Sequence, residues 1–241
     1  MIRDENDTGG ISSNQESSVL FGHDKQISFL LDRLRTSQIP NAWLFHGPMG
    51  IGKSSLALNI GKVLSNIDFS KKNHVVSISE QDIRRPKTTA NISNVFYCRR
   101  KWDDKKKLFQ KYISIENIRE LNRKFSLSST DNSYKVCVVD TTEDLNISAA
   151  NSLLKILEEP PKNTLFILVS NNQQSILPTI LSRCQKVGFQ RLNEKNLGDI
   201  YASLVKKNKV EQIIDADAVA ACDGSVRKLS LIHISEPTRP Y

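Results

Sequence analysis

One short glycine-rich segment contains the residue types that bind phosphate. It reads Gly47-Pro-Met-Gly-Ile-Gly-Lys-Ser54 and matches the pattern G-x-x-x-x-G-K-[ST] in full. Its glycines let backbone amides curl around a phosphate without a clash from a Cβ atom, and the N-terminus of a following helix adds positive potential. Lys53 can reach the β- and γ-phosphates of a nucleotide, and the Ser54 hydroxyl can bind Mg²⁺. The segment therefore predicts a site for ATP or ADP with Mg²⁺, with these glycines as backbone contacts: Gly47, Gly50 and Gly52.

A site of this kind also needs a carboxylate at the end of a buried strand, facing the same metal ion. Asp140 follows the apolar run 136–139 and is the candidate, although a strand-end turn residue is the alternative interpretation. In many ATP-hydrolysing proteins a Glu comes directly after this Asp, whereas here the next residue is Thr141, and a hydroxyl is a poor general base. We expect Glu143 and Asp144 to point elsewhere. The pattern supports nucleotide binding and leaves hydrolysis by this chain uncertain.

Strands and helices alternate around these motifs. Apolar runs predict buried strands at 42–46, 134–140 and 164–169, with shorter strands at 111–115 and 185–189. Apolar residues at helical spacing predict helices over 24–35, 54–64 and 149–159, and a further helix that contains Ile118, Leu121 and Phe125. This alternation is typical of an α/β fold with a parallel sheet flanked by helices. After Gln190 the pattern is wholly helical, which predicts a small second domain.

The composition excludes several classes of protein. Of 241 residues, 39% are hydrophobic and 25% are charged, which is ordinary for a globular chain. No apolar run is long enough to span a bilayer, and the polar N-terminus is no secretory signal, so we expect a cytoplasmic protein without a membrane partner. The four cysteines form no C-x-x-C pair, which argues against a zinc site and against a dithiol redox centre.

The formal net charge of +8 comes from one segment. Residues 71–111 contain twelve Lys and Arg against four Asp and Glu, and the rest of the chain is neutral overall. Within it, 101–107 is rich in lysine and lies near Phe96, Tyr97 and Phe109. One hypothesis is contact with nucleic acid through phosphate neutralisation and base stacking. The alternative, which we favour, is a solvated loop.

Two further motifs resemble those of a known family. Residues 151–161 read Asn-Ser-Leu-Leu-Lys-Ile-Leu-Glu-Glu-Pro-Pro, and residues 179–184 read Thr-Ile-Leu-Ser-Arg-Cys. Together they resemble the signature of bacterial clamp-loader subunits, the AAA+ proteins gamma/tau and delta prime of the DNA polymerase III holoenzyme. The resemblance runs from Val19 to about Lys228 and implies two domains. These are a AAA+ P-loop domain over 19–190, with 71–111 as a basic insertion, and a helical lid domain over 191–228. The family's third domain is an all-helical collar, and we expect no counterpart of it within these residues.

The resemblance assigns roles to three more residues. Arg183 matches the arginine that reaches across a subunit interface to ATP bound by a neighbour, Ser170 falls at the sensor-1 position, and Arg227 falls at the sensor-2 position of the lid. Each has a plainer alternative: a surface arginine in a salt bridge, a cap at a strand end, and a solvated arginine at a helix start.

Departures from the family pattern distinguish between subunit types. Asp140-Thr141 stands where the gamma/tau motor would have Asp-Glu, and the four-cysteine zinc module of many members is missing. Both departures favour the zinc-less delta prime type, which implies gamma/tau and delta as partner subunits, the sliding clamp, and primed DNA bound through the complex. A gamma/tau-type ATPase motor is the alternative. An unrelated P-loop kinase is a weaker one, because the family motifs speak against it.

The two ends of the chain have unusual compositions. Residues 1–18 are rich in Ser, Asn, Gly and acidic residues, and we interpret them as a disordered leader. Residues 229–239 resemble a translated sequencing adapter, so we expect 229–241 to be foreign; a divergent natural C-terminus is the alternative.

Overall fold

The computed structural model describes residues 20–36, 39–67, 78–86, 94–127, 134–208 and 222–226. The leader 1–18, the tail 229–241 and Arg227 lie outside these ranges. The helices within them are α1 (Asp24–Arg35), α2 (Lys53–Ser65), α3 (Glu80–Arg84), α4 (Ile115–Leu127), α5 (Ile147–Glu158), α6 (Pro178–Leu181) and α7 (Glu194–Asn208). The strands are β1 (Ala42–His46), β2 (Val95–Cys98), β3 (Trp102–Asp103), β4 (Leu108–Phe109), β5 (Lys135–Val139), β6 (Thr164–Ser170) and β7 (Gln185–Gly188).

Five of the strands form one parallel sheet in the order β2-β5-β6-β1-β7. The predicted α/β fold with a parallel sheet is thereby confirmed. β1 lies between β6 and β7, with His46 opposite both Ser170 and Gly188. Because all five strands run the same way, their carboxyl ends meet at one edge, where open α/β sheets bind their ligands.

Both faces of the sheet are covered, which explains the continuous apolar runs. Along β1, Trp43 and Phe45 pack into a cluster with residues of α1 and α2, whereas Ala42 and Leu44 pack into a second cluster with residues of α4 and α5. Side chains that alternate along a strand point to opposite faces, so one five-residue strand contributes to both cores.

Part of the segment interpreted as a basic insertion belongs to the sheet itself. β2 pairs with β5 and forms an edge of the sheet, and α3 packs against α2. Of the described residues of 71–111, those of β2 thus belong to the main sheet, whereas the hairpin of β3 and β4 lies outside it. β2 was not predicted from the sequence because it is only four residues long and polar residues flank it on both sides.

The strand predicted over 111–115 is wrong. Ile113 makes only an isolated bridge to Leu145, and α4 already begins at Ile115. The Ser114 hydroxyl is hydrogen-bonded to the side chain of Asn117, three residues on, a local contact that favours a helix start over a strand.

The described part of the predicted lid domain is small. α7 packs Leu197 and Ile200 against Leu192, Cys222 and the partly buried Phe21. This third cluster joins residues of the lid segment to the start of the described chain. None of the helices in the described ranges is long and apolar enough to cross a membrane.

The contact between α2 and the sheet gives a test of the fold. At Gly61 an added Cβ would lie 3.0 Å from Val95 Cγ1 and 3.4 Å from Val136 Cγ1, whereas at Gly198 on α7 it would meet open space. We expect Gly61→Leu to lower the free energy of unfolding by about 1–3 kcal/mol through overpacking. The matched control Gly198→Leu should leave it unchanged or raise it by up to about 1 kcal/mol, because Leu is the better helix former. Urea denaturation followed by circular dichroism measures both, and equal effects would contradict the packing of α2.

Candidate phosphate-binding site

The glycine-rich loop lies at the carboxyl edge of the sheet, between β1 and α2. All three of its glycines have positive φ: 149° at Gly47, 79° at Gly50 and 98° at Gly52. At Gly47 an added Cβ would lie 2.3 Å from the carbonyl oxygen of Phe189, so the position excludes every other residue. Gly52 occupies the N-cap of α2 in the left-handed region, and this conformation directs the chain into the helix at Lys53.

A histidine outside the loop is hydrogen-bonded to the loop backbone. His23, directly before α1, makes a 2.8 Å hydrogen bond from its Nε2 to the carbonyl oxygen of Ile51. Its ring also packs edge-on against Phe189, with the ring centroids 5.1 Å apart. Burial lowers the pKa of His23, and the hydrogen bond to Ile51 opposes that shift. The hydrogen bond thereby ties the loop to the start of α1.

The ammonium group of Lys53 is buried at the centre of the site. The residue is 3% exposed, and its Nζ donates to the carbonyl oxygens of Gly47 (2.8 Å) and Pro48 (2.5 Å) and to Oδ1 of Asn171 (3.0 Å). Burial lowers its pKa to about 8, and the charges of Glu143 and Asp140 oppose that shift. All three acceptors are neutral, so phosphate oxygens would offer this cation a stronger partner.

Asp140 lies where the sequence predicts the metal ligand, directly after β5. Its Oδ1 accepts a hydrogen bond from the Ser54 hydroxyl at 2.6 Å, and its Oδ2 accepts one from the Tyr97 hydroxyl at 2.5 Å. The pKa of Tyr97 is raised well above its usual value, first by burial and then by the charge of Asp140. The two residues predicted to bind Mg²⁺ are therefore in direct contact, and Tyr97 is an additional partner that the sequence did not indicate.

Lys53, Ser54 and Asp140 line one cleft of about 370 Å³, whereas Gly47 and Tyr97 lie behind its walls. Its walls include Gly50, Lys53 and Ser54 from the loop, Asp140 from the end of β5, and Val226 from the segment after α7. The volume falls within the range of small-molecule sites. A buried cation, backbone with positive φ and a hydroxyl–carboxylate pair at one cleft fit a nucleotide with Mg²⁺.

At the end of β6, the residue that reaches the cleft differs from the one expected. Ser170 is fully buried, and its hydroxyl accepts a hydrogen bond from the amide of Asn172, which is the behaviour of a strand-end cap. The next residue, Asn171, lines the cleft and contacts Lys53. Asn171 is thus the better placed candidate for a polar sensor of bound phosphate. Asn171 lies two residues beyond the apolar run that ends at Val169, and no local pattern distinguishes it from Ser170 as the residue that reaches the cleft.

Glu143 also lies closer to the site than expected. Its Oε1 accepts a hydrogen bond from the backbone amide of Asn171 at 2.8 Å, and its Oε2 is buried without a hydrogen-bond partner among the described residues. Glu143 does not line the cleft, which agrees with the expectation that it points elsewhere, and it holds the Asn171 amide beside the cleft instead. The tight turn that begins at Thr141, whose φ is 63°, turns it back. Asp144 points away, and its Oδ2 lies 2.9 Å from the Arg100 guanidinium.

Arg183 lies near the amino ends of the strands, opposite the carboxyl edge that holds the glycine-rich loop. It follows α6 and precedes β7, where its guanidinium donates to Glu158 Oε1 (2.6 Å) and to the carbonyl oxygen of Thr179 (2.9 Å). Gln185, two residues after Arg183, is paired with Trp43, so the amino end of β7 lies about 13 Å along the strand direction from the start of the phosphate-binding loop at Gly47. In the isolated chain Arg183 is a surface arginine in a salt bridge, and it is far from its own cleft.

The lysine-rich segment forms the tip of the β3–β4 hairpin. Lys105, Lys106 and Lys107 are exposed, and Oδ1 of Asp103 accepts the backbone amides of the first two. The rings of Trp102 and Phe109 pack edge-to-face, with centroids 5.1 Å apart. These rings stabilise the hairpin by packing on each other, which favours the solvated-loop interpretation over base stacking.

The charge environment of Lys53 gives a test of the site geometry. Glu143→Gln keeps the acceptor for the Asn171 amide and removes the negative charge that opposes burial, so the pKa of Lys53 should fall below about 8. The control Glu158→Gln, at the Arg183 edge of the sheet, should leave it at about 8. Nuclear magnetic resonance titration of the lysine side-chain signals measures the pKa. An unchanged value in Glu143→Gln would place Glu143 away from Lys53.

Comparisons with known proteins agree with this geometry. The family described as DNA polymerase III, delta subunit, matches residues 22–193. DNA polymerase III subunit tau of Bacillus subtilis is 27% identical over 212 residues, which cover 88% of this chain and 34% of tau. Subunit delta' of the same organism is 38% identical over 87 residues, which cover 36% of this chain and 26% of delta'. The chain thus spans about a third or less of the length of these relatives.

A solved structure agrees at the level of the fold. The Thermotoga maritima RuvB Holliday junction branch migration motor superposes with a TM-score of 0.52 at 16% identity, over 86% of this chain and 59% of RuvB. This similarity, with the parallel sheet and the loop before α2, confirms the predicted AAA+ P-loop fold. Because the family match covers well over half of the chain, the protein belongs to the DNA polymerase III, delta subunit family, among the bacterial clamp-loader subunits that its motifs resemble.

Proposed function

We propose that this chain binds ATP or ADP with Mg²⁺ in the cleft at the carboxyl edge of the sheet, and that it acts as a delta prime-like subunit of the bacterial clamp loader. The observation that supports this best is the convergence of a buried lysine ammonium and a serine–aspartate pair on one cleft. In the assembly, its neighbours would be gamma/tau and delta subunits. The complex would load the sliding clamp onto primed DNA.

Each group in the cleft has a task toward the nucleotide. Lys53 would exchange its three neutral acceptors for phosphate oxygens, and the amides of Gly50 and Gly52 would hold the phosphates at the start of α2. Ser54 and Asp140 would hold Mg²⁺, which supplies charge neutralisation between the phosphates when it is bound. Asn171 would exchange its contact with Lys53 for one with phosphate.

The same geometry argues against efficient hydrolysis by this chain. Among the described residues that line the cleft, Asp140 is the carboxylate, and both its oxygens are occupied by hydroxyl donors. Thr141 takes the position next to it, and Glu143 holds the amide of Asn171 instead of facing the cleft. No described group is therefore placed to polarise an attacking water. This supports binding without rapid turnover.

Arg183 suits a role toward a neighbour's nucleotide. It lies too far from its own cleft to act there, and its ion pair with Glu158 is exposed on both sides, so releasing it costs little, about 0–1 kcal/mol. A guanidinium remains charged at all relevant pH values and can grip two phosphate oxygens at once. Arg183 would thus complete the ATP site of the adjacent subunit.

A gamma/tau-type motor is the second candidate. It is favoured by the intact phosphate-binding loop and by the similarity to tau over 88% of the chain, against 36% for delta'. The residue after Asp140 opposes it, because gamma/tau would be expected to have a glutamate there. The ATPase rate of the isolated full-length protein separates the two candidates. Turnover at about 1 per second or faster, a typical enzyme rate, would favour the motor.

Nucleotide binding should depend on the charge of Lys53. Because its pKa in the free protein is about 8 and a phosphate would raise it, the contribution of Lys53 to the affinity for ADP should be constant below about pH 7. Above pH 8 binding takes up a proton, and the affinity should fall by up to about tenfold per pH unit. Calorimetric titration measures both the affinity and the proton uptake. Lys53→Ala should reduce the affinity at least tenfold and abolish the uptake; ADP binding equal to wild type in Lys53→Ala would refute the site.

The role of Arg183 needs the assembled complex. In a clamp loader reconstituted with gamma/tau and delta, Arg183→Ala should lower the ATPase rate by about 10³-fold or more at the neighbouring site, the effect reported for arginine fingers as a class. The control Arg119→Ala removes an exposed arginine from α4 and should leave the rate unchanged. Calorimetric ADP binding by the isolated variant should equal that of wild type. An unaffected rate in the Arg183→Ala complex would disprove the assignment.

A further inference from the structure

We propose that Tyr97 is a positioning residue that orients Asp140 toward the Mg²⁺ position. This inference rests on the nucleotide site proposed above and adds a residue that no motif indicates. The central observation is the pair of hydrogen bonds on one carboxylate: the Tyr97 hydroxyl donates to Oδ2, and the Ser54 hydroxyl donates to Oδ1.

The backbone around Tyr97 fixes its relation to Asp140. Tyr97 is opposite Val138 in the parallel pairing of β2 with β5, and the amide of Asp140 donates to the carbonyl oxygen of Cys98 at 2.8 Å. Backbone pairing of the two strand segments therefore continues past the end of β5 and reaches Asp140 itself. The main chain and the side chain of Asp140 are both held by the same neighbouring strand.

The ring of Tyr97 is held as well. It is partly buried at the border of the first apolar cluster, on the α2 side of the sheet. The guanidinium of Arg99 lies 5.6 Å from the centroid of the ring. A ring confined by apolar packing and a cation has little freedom to move its hydroxyl. The hydrogen bond to Asp140 is therefore a fixed feature of the site.

This arrangement decides which oxygen of Asp140 faces the metal. With Oδ2 occupied by Tyr97, the carboxylate cannot rotate freely about its Cβ–Cγ bond, and Oδ1 stays directed at Ser54. Without the phenol, Asp140 could turn toward the Lys53 ammonium. The charge of Asp140 already opposes the lowering of the Lys53 pKa by burial. Partners behind a metal ligand set its orientation, and removing one commonly costs 10- to 100-fold in metal affinity.

The test compares the loss of two tyrosine hydroxyls, one in β2 and one just before β5. Tyr97→Phe removes the hydroxyl next to Asp140. The control Tyr134→Phe removes a partly buried hydroxyl before the start of β5, at the far end of the strand. The probe is a fluorescent ADP analogue, titrated into the full-length protein at a series of Mg²⁺ concentrations and in EDTA.

We expect Tyr97→Phe to raise the Mg²⁺ concentration needed for half-maximal tightening by about tenfold, with the affinity in EDTA changed less than about twofold. Tyr134→Phe should change neither value. A merely structural role would lower the melting temperature and weaken binding equally with and without Mg²⁺. An unchanged Mg²⁺ requirement in a folded Tyr97→Phe protein overturns the inference.

A double-mutant cycle gives a second readout. In an Asp140→Asn background, Tyr97→Phe should have no further effect on the Mg²⁺ requirement, because the carboxylate it orients is gone. An effect of the same size in both backgrounds also overturns the inference. Failure of wild type to bind the ADP analogue at all would refute the proposed nucleotide site itself. That result is distinct from normal wild-type binding with no response to Tyr97→Phe.

Discussion

The buried charge of Lys53 constrains the rest of the site. A lysine that is 3% exposed needs hydrogen-bond acceptors, because burial without them would cost several kcal/mol. Two acceptors are carbonyl oxygens of its own loop, and they are available only because the glycines take conformations with positive φ. The third is Asn171, which comes from the end of a different strand. The site therefore exists only where β1 and β6 are neighbours that end level with each other, and the pairing of His46 with Ser170 provides this.

The strand order extends the same logic across the sheet. Since β5 lies beside β6 and β2 lies beside β5, the residues after each strand meet at one edge although they are far apart in sequence. Asp140 thereby reaches Ser54, and Tyr97 reaches Asp140. Four strands each contribute one part of a connected polar network. Satisfied networks of this kind hold their members in one arrangement, and each partner makes the next more fixed.

The sequence predicted the parts of this site that depend on local pattern. The loop from Gly47 to Ser54 has a fixed spacing, and Asp140 follows an apolar run, so neither needs knowledge of the tertiary structure. Asn171 and Tyr97 were missed because their roles depend on strand register, which no local pattern encodes. The bond from the Asn171 amide to Glu143 was not foreseen because a left-handed residue at Thr141 turns the chain back, and threonine gives no warning of that conformation. The strand β2 was concealed by its length of four residues.

The phosphate-binding groups and Arg183 lie at opposite ends of the strands, and this separation limits how subunits could assemble. The cleft lies at the carboxyl edge, whereas Arg183 precedes the amino end of β7, which lies about 13 Å away along the strands. No rearrangement of side chains within one subunit can join them. An arginine that serves a nucleotide from this position must serve another subunit, which requires that the amino edge of one subunit faces the carboxyl edge of the next. Such a head-to-tail contact is heterologous and builds rings or helical arrays rather than two-fold dimers. In the proposed role, the exposed ion pair with Glu158 would satisfy the guanidinium until a neighbour's phosphate replaced it.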